Sequence, residues 1–60
     1  MKIIDNESKK IYELESIDYD STFQRTIYTF RSINCSWSIS VCNNETLNQV
    51  LEKNNLSIDN

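Results

Sequence analysis

No position in this chain is glycine or proline, and histidine is absent as well. Chains of sixty residues ordinarily carry about four glycines and three prolines. Every reversal of direction must therefore come from Asn, Asp or Ser, which tolerate tight turns through local side-chain hydrogen bonds. The same absence removes whole classes of function. A phosphate-binding loop, a dinucleotide fingerprint and an EF-hand loop all require a backbone position open only to glycine. Without histidine there is no Ser-His or Cys-His nucleophile pair and no imidazole metal ligand. Acid–base chemistry would fall to Tyr, Asp and Glu, so the sequence argues against an enzyme and implies no cofactor and no metal.

A chain of 60 residues makes one domain over 1–60 and buries only about 60% of its unfolded surface. Domains of this size usually gain support from disulfides, a metal or a partner chain. Composition is globular, with 38% hydrophobic residues and a net charge of −3. Six scattered Lys and Arg build no basic stripe, which argues against a nucleic-acid partner. No apolar run is long enough for a membrane span or a signal-peptide core, and a cytoplasmic location is expected. Cys35 and Cys42 sit on one proposed strand, roughly 23 Å apart and facing opposite sides. That geometry forbids a disulfide between them and leaves two reduced thiols, Cys35 in the core and Cys42 near a strand end.

The clearest element is Cys35 to Cys42, where Cys35, Trp37, Ile39 and Val41 alternate with Ser36, Ser38 and Ser40. Strict alternation marks a half-buried strand. Residues 22–31 are rich in aromatic, Thr and β-branched side chains and form another strand. Its phase follows from the hairpin joining the two. An even-length loop puts Tyr28 and Phe30 beside Trp37. An odd one puts Arg25 and Arg31 against an aromatic core, at a large desolvation cost. A four-residue loop, Arg31 to Asn34, with Asn34 left-handed, sets Phe30 opposite Cys35 and Tyr28 opposite Trp37.

Upstream, residues 10–17 form a strand with Tyr12 and Leu14 inward and Glu13 and Glu15 outward. A turn around Tyr19-Asp20-Ser21 sets Tyr12 opposite Tyr28 and Glu15 opposite Arg25. Residues 2–5 add a short first strand, returning through Asn6-Glu7-Ser8. Downstream, residues 44–54 read as a helix capped by Asn43 or Asn44, with Glu45 in its first turn. Leu47, Val50 and Leu51 give it an apolar stripe, Lys53 lies in its last turn, and Asn54 or Asn55 takes the left-handed cap. Leu56 and Ile58 either fold back on the stripe or add an edge strand. The fold class is α+β: an antiparallel meander of three to four strands (near 2–5, 10–17, 22–31 and 35–42) with one C-terminal helix packed on one face.

Tyr12, Tyr28, Phe30 and Trp37 share one face and could form a stacking platform for bases. The helix stripe needs that face, so these aromatics read as core. Glu13, Glu15, Asp18 and Asp20 could hold a hard cation but read as a solvated strand face and turn. The opposite face is the candidate site. It is expected to carry Ile11, Ile17, Phe23 and Ile27 beside Arg25 and Arg31, and a contiguous apolar patch usually marks an interface. These six are the expected protein-interface residues. The expected function is a small non-enzymatic binding domain, an inhibitor or masking protein that forms a homo-oligomer, such as a homodimer, and binds a larger protein. Its Ile, Asn, Lys and Ser bias fits AT-rich coding and a phage or mobile-element origin. The alternatives are a structural homo-oligomer and a weak nucleic-acid binder or nucleic-acid mimic.

Overall fold

A computed structural model describes residues 1–42 and 45–59. The elements run β1 (Lys2–Asp5), β2 (Ile11–Asp20), β3 (Arg25–Arg31), β4 (Ser36–Val41), α1 (Leu47–Lys53) and β5 (Leu56–Ile58). All strand pairs are antiparallel, in the order β4-β3-β2-β1-β5. Among the described residues, the β1–β4 meander and one C-terminal helix are as the sequence implies. Among the described residues the sheet nevertheless has five strands rather than three or four, because Leu56–Ile58 returns to pair with the outer side of β1. Since β4 and β5 lie at opposite edges, the segment between them carries α1 across the sheet.

The helix lays its stripe on one face. Val50 and Leu51 are buried with Ile3, Tyr28, Phe30 and Leu56, and Leu47, Tyr12, Leu14, Trp37, Ile39 and Val41 pack around them. The Trp37 ring stacks on Phe30 at 4.5 Å and meets Tyr12 edge-on at 5.3 Å, so the aromatics form a core as expected. Thr46 caps the helix through a reciprocal pair. Gln49 N–H donates to Thr46 Oγ1 (3.3 Å), and Thr46 N–H donates to Gln49 Oε1 (2.9 Å). Glu45 therefore precedes the helix and forms an ion pair with Lys53 instead of occupying the first turn. Asn43 and Asn44, expected as caps, lie outside the described residues. At the other end Asn55 takes the left-handed conformation (φ 57°) and turns the chain into β5.

The hairpin register differs from expectation by one step that preserves the faces. Phe30 pairs with Trp37 and Tyr28 with Ile39, so the connecting residues are 32–35 rather than 31–34. Ser32 N–H donates to the Cys35 carbonyl at 2.8 Å, and Asn34 does not adopt positive φ. Cys35 is consequently an exposed loop residue, not a core one, with its Sγ 3.1 Å from Ser32 Oγ. Sliding by two residues keeps apolar side chains on the core face, which is why alternation alone could not choose between the registers.

The larger correction concerns β2. It continues to Asp20, and the turn to β3 is 21–24, so Tyr19-Asp20-Ser21 is not the turn. Leu14 pairs with Phe30 but Ser16 pairs with Thr29, which leaves Glu15 as the extra residue of a β-bulge. Tyr12 is beside Ile3 on β1, not Tyr28, and Arg25 is opposite Asp20, not Glu15. Beyond the bulge, side-chain parity inverts. Ile17 pairs with Tyr28 and Tyr19 with Thr26, so both point to the helix side of the sheet.

Candidate protein-binding surface

The structure divides the six expected interface residues into three groups. Ile11 and Arg31 lie on the helix-free face at one end of the sheet. There they line a groove of about 430 Å³ together with Lys2, Glu13 and the fully exposed Ile33. Arg25 and Ile27 lie on the same face toward the other end, near Phe23 in the 21–24 turn. Arg25 and Arg31 are roughly 20 Å apart along β3. Ile17 is not on this face at all, because the Glu15 bulge turns it to the helix side. Phe23 is a turn residue and not part of β3. A single contiguous patch of all six is therefore not formed.

Ion pairs lie within each end of this face rather than between the groups. Arg31 approaches Glu15 at 3.6 Å, and the Arg25 Nε donates to Asp20 Oδ2 at 3.3 Å. The terminal ammonium donates to Glu13 at 3.1 Å. Each of these carboxylates of the acidic stretch thus faces a cation. The pairs are partly or largely exposed, so they set the polarity of the face more than the stability of the fold. Ser36, Ser38 and Ser40 complete the face on β4.

Further exposed apolar side chains lie at the far end of the β2–β3 hairpin. Phe23 is 68% exposed, Tyr19 66% and Ile17 54%. Local chemistry shapes this end. Asp20 Oδ1 accepts from the Thr22 N–H (3.0 Å), Gln24 takes positive φ (51°), and the Arg25 guanidinium lies 5.2 Å over the Phe23 ring. A rigid ring with a cation on one side is the kind of anchor that interfaces favour. The helix does not reach this end. Among the described residues the β1 ladder stops where Leu14 N–H donates to the Met1 carbonyl (2.9 Å), and β2 from Ser16 to Asp20 is paired only with β3.

Among the described residues, Met1, Tyr19, Ile33 and Ile58 are the large exposed apolar residues not anticipated as interface positions. A signal for Tyr19 was present in the sequence. Tyr12 and Leu14 alternate on even numbers whereas Ile17 and Tyr19 alternate on odd ones, and only a bulge between them reconciles the two. Ile33 carries no such signal.

The two thiols are both free and exposed. Among the described residues no group of acidic or cysteine side chains is arranged to hold a metal ion, and no helix is long and apolar enough to cross a membrane. Comparison of the chain with family models, curated proteins and solved structures finds no match.

Proposed function

We propose that this chain is a small protein-binding domain that acts without catalysis, by covering a site on a larger protein, and that its copies self-associate. The observation that supports this reading is the hairpin end, where Ile17, Tyr19 and Phe23 are each more than half exposed in so short a chain. Isolated exposed apolar residues are ordinary, but three at one end of a hairpin that no helix covers suit a hydrophobic partner surface. The charge pattern favours protein over nucleic acid. Arg25 and Arg31 each face a carboxylate, and the net charge is −3. An inhibitor encoded by a phage or mobile element is the setting that composition fits best.

The test is capture from a lysate on the immobilised chain, with and without nuclease. The reading expects a discrete protein that is retained after nuclease and released by Tyr19→Asp or Phe23→Asp. Retention of nucleic acid alone, or capture indifferent to both substitutions, overturns it.

A further inference from the structure

The sheet leaves backbone hydrogen-bonding groups unpaired along β4. The bond from Ser32 N–H to the Cys35 carbonyl fixes the alternation of the β3–β4 ladder. Residues 37, 39 and 41 aim their backbone groups at β3, and Ser36, Ser38 and Ser40 aim theirs outward. No strand lies beyond β4 among the described residues. Natural edge strands are normally guarded by a charge, a proline, a bulge or a covering element. Ser36–Val41 has none of the first three, and its ladder with β3 is regular throughout.

The other two free edges differ. The free stretch of β2 carries Asp18 and Asp20, and β5 is three residues long and followed by Asp59. In a chain of net charge −3, self-pairing at either would bring like carboxylates together. β4 is the uncharged edge and the one at which two copies repel least.

We propose that β4 pairs antiparallel with β4 of a second copy, joining two five-stranded sheets into one continuous sheet. Two antiparallel copies of one edge are related by a twofold axis perpendicular to the sheet, which keeps the helix side on the helix side. Residues that meet must then share a face, so serine meets serine. With the axis at Ser38, Ser36 lies opposite Ser40 of the second copy. Every outward N–H and C=O of the three serines then meets its complement. Ile39, half-buried at the edge, comes to lie beside Trp37 of the second copy. The contact uses the same strand on both sides and closes at two, so it yields a dimer and not a fibre. This deepens the self-association in the proposed function by naming its surface. Capture of another protein by the hairpin end rests on different residues.

Sedimentation equilibrium from low to high micromolar concentration tests the proposal. Reductant is included because Cys35 and Cys42 are exposed. The wild-type chain is expected to approach twice its 7.1 kDa mass as concentration rises. Ser38→Pro removes an N–H that only the second copy uses, at a kind of position where edge strands accept proline. It is expected to weaken dimerisation by about tenfold or more. Ser38→Lys places a guarding charge at the axis and is expected to do the same. Far-UV circular dichroism verifies the fold, and if the proline variant loses the wild-type spectrum the lysine variant decides. A wild-type chain that stays at 7.1 kDa throughout overturns the proposal. So does a folded Ser38→Lys variant that dimerises as tightly as wild type. A monomeric wild type that still captures another protein through Tyr19 and Phe23 would refute the β4 dimer and leave the hairpin surface standing.

Discussion

Replacing Val50 by alanine tests whether the short helix is truly seated on the sheet. Val50 has no exposed surface and sits on α1 between Leu47 and Leu51, facing the Phe30 side of the core. The substitution deletes two buried methyl groups, each contributing about 0.8 kcal/mol through burial. The residual cavity adds to that loss, and alanine's better helix propensity returns about 0.5 kcal/mol. The net expectation is a destabilisation of about 1–2 kcal/mol. A domain of this size is held by only about 3–9 kcal/mol in total, so the effect is a large fraction of stability. It corresponds to a fall in Tm of roughly 5–15 °C. Urea unfolding followed by far-UV circular dichroism reads it, with Asn48→Ala as the control. Asn48 is an exposed residue of the same helix, and alanine there should be neutral or slightly stabilising. If Val50→Ala is as stable as Asn48→Ala, the helix does not bury its stripe and the layered architecture is wrong.

Other perturbations address the turns. Gln24→Gly should stabilise the chain by about 0.5–1 kcal/mol, because a side chain at φ 51° gives up roughly that much relative to glycine after the entropy cost. Thermal unfolding that shows a loss would mean the 21–24 turn is not left-handed at Gln24. Asp5 accepts hydrogen bonds from the N–H groups of Glu7 (2.9 Å) and Ser8 (3.3 Å), and these, in that order, hold its carboxyl below the usual range. Since the folded value is the lower one, its contribution is full above the unfolded value and disappears as pH falls through the folded one. Asp5→Asn keeps an acceptor but removes the titration. The stability gap between wild type and this variant should therefore shrink on acidification below the carboxylate range, and a gap that is constant down to pH 2 would contradict the assignment.

Much of the core was legible because its signals are local. The Cys35–Cys42 alternation placed Trp37, Ile39 and Val41 correctly, and the 47, 50, 51 spacing identified the buried side of the helix. The cost of facing Arg25 and Arg31 against aromatics picked the right phase for Tyr28 and Phe30. What local pattern could not settle was registry. Shifts of two residues conserve every face, so the β3–β4 loop was displaced from 31–34 to 32–35 without any change in side-chain polarity. The Glu15 bulge had the larger effect. It needs one residue to be counted out of the alternation, and without that count Ile17 falls on the wrong face and β2 ends too early. Turn residues were also misassigned by composition. Asn55 is left-handed as expected, but Lys9 (φ 65°) and Gln24 are the other positive-φ positions among the described residues, since the ladders on either side fix where the chain must reverse. The candidate site changed for the same reason. Turning Ile17 to the helix side and placing Phe23 in the 21–24 turn leaves exposed apolar side chains at both ends of the sheet, with Ile17, Tyr19 and Phe23 at the hairpin end and Ile11 and Ile33 at the other.

Titration of a captured partner against surface variants tests the central claim most directly. Isothermal calorimetry would compare the wild-type chain with Tyr19→Asp at the hairpin end and with Ile11→Asp at the other end of the sheet. Binding through the hairpin end predicts that Tyr19→Asp weakens affinity by about tenfold or more, as expected for an interface anchor, while Ile11→Asp leaves it within about twofold. The reverse order, or equal affinity for all three folded proteins, would contradict the hairpin end as the binding surface.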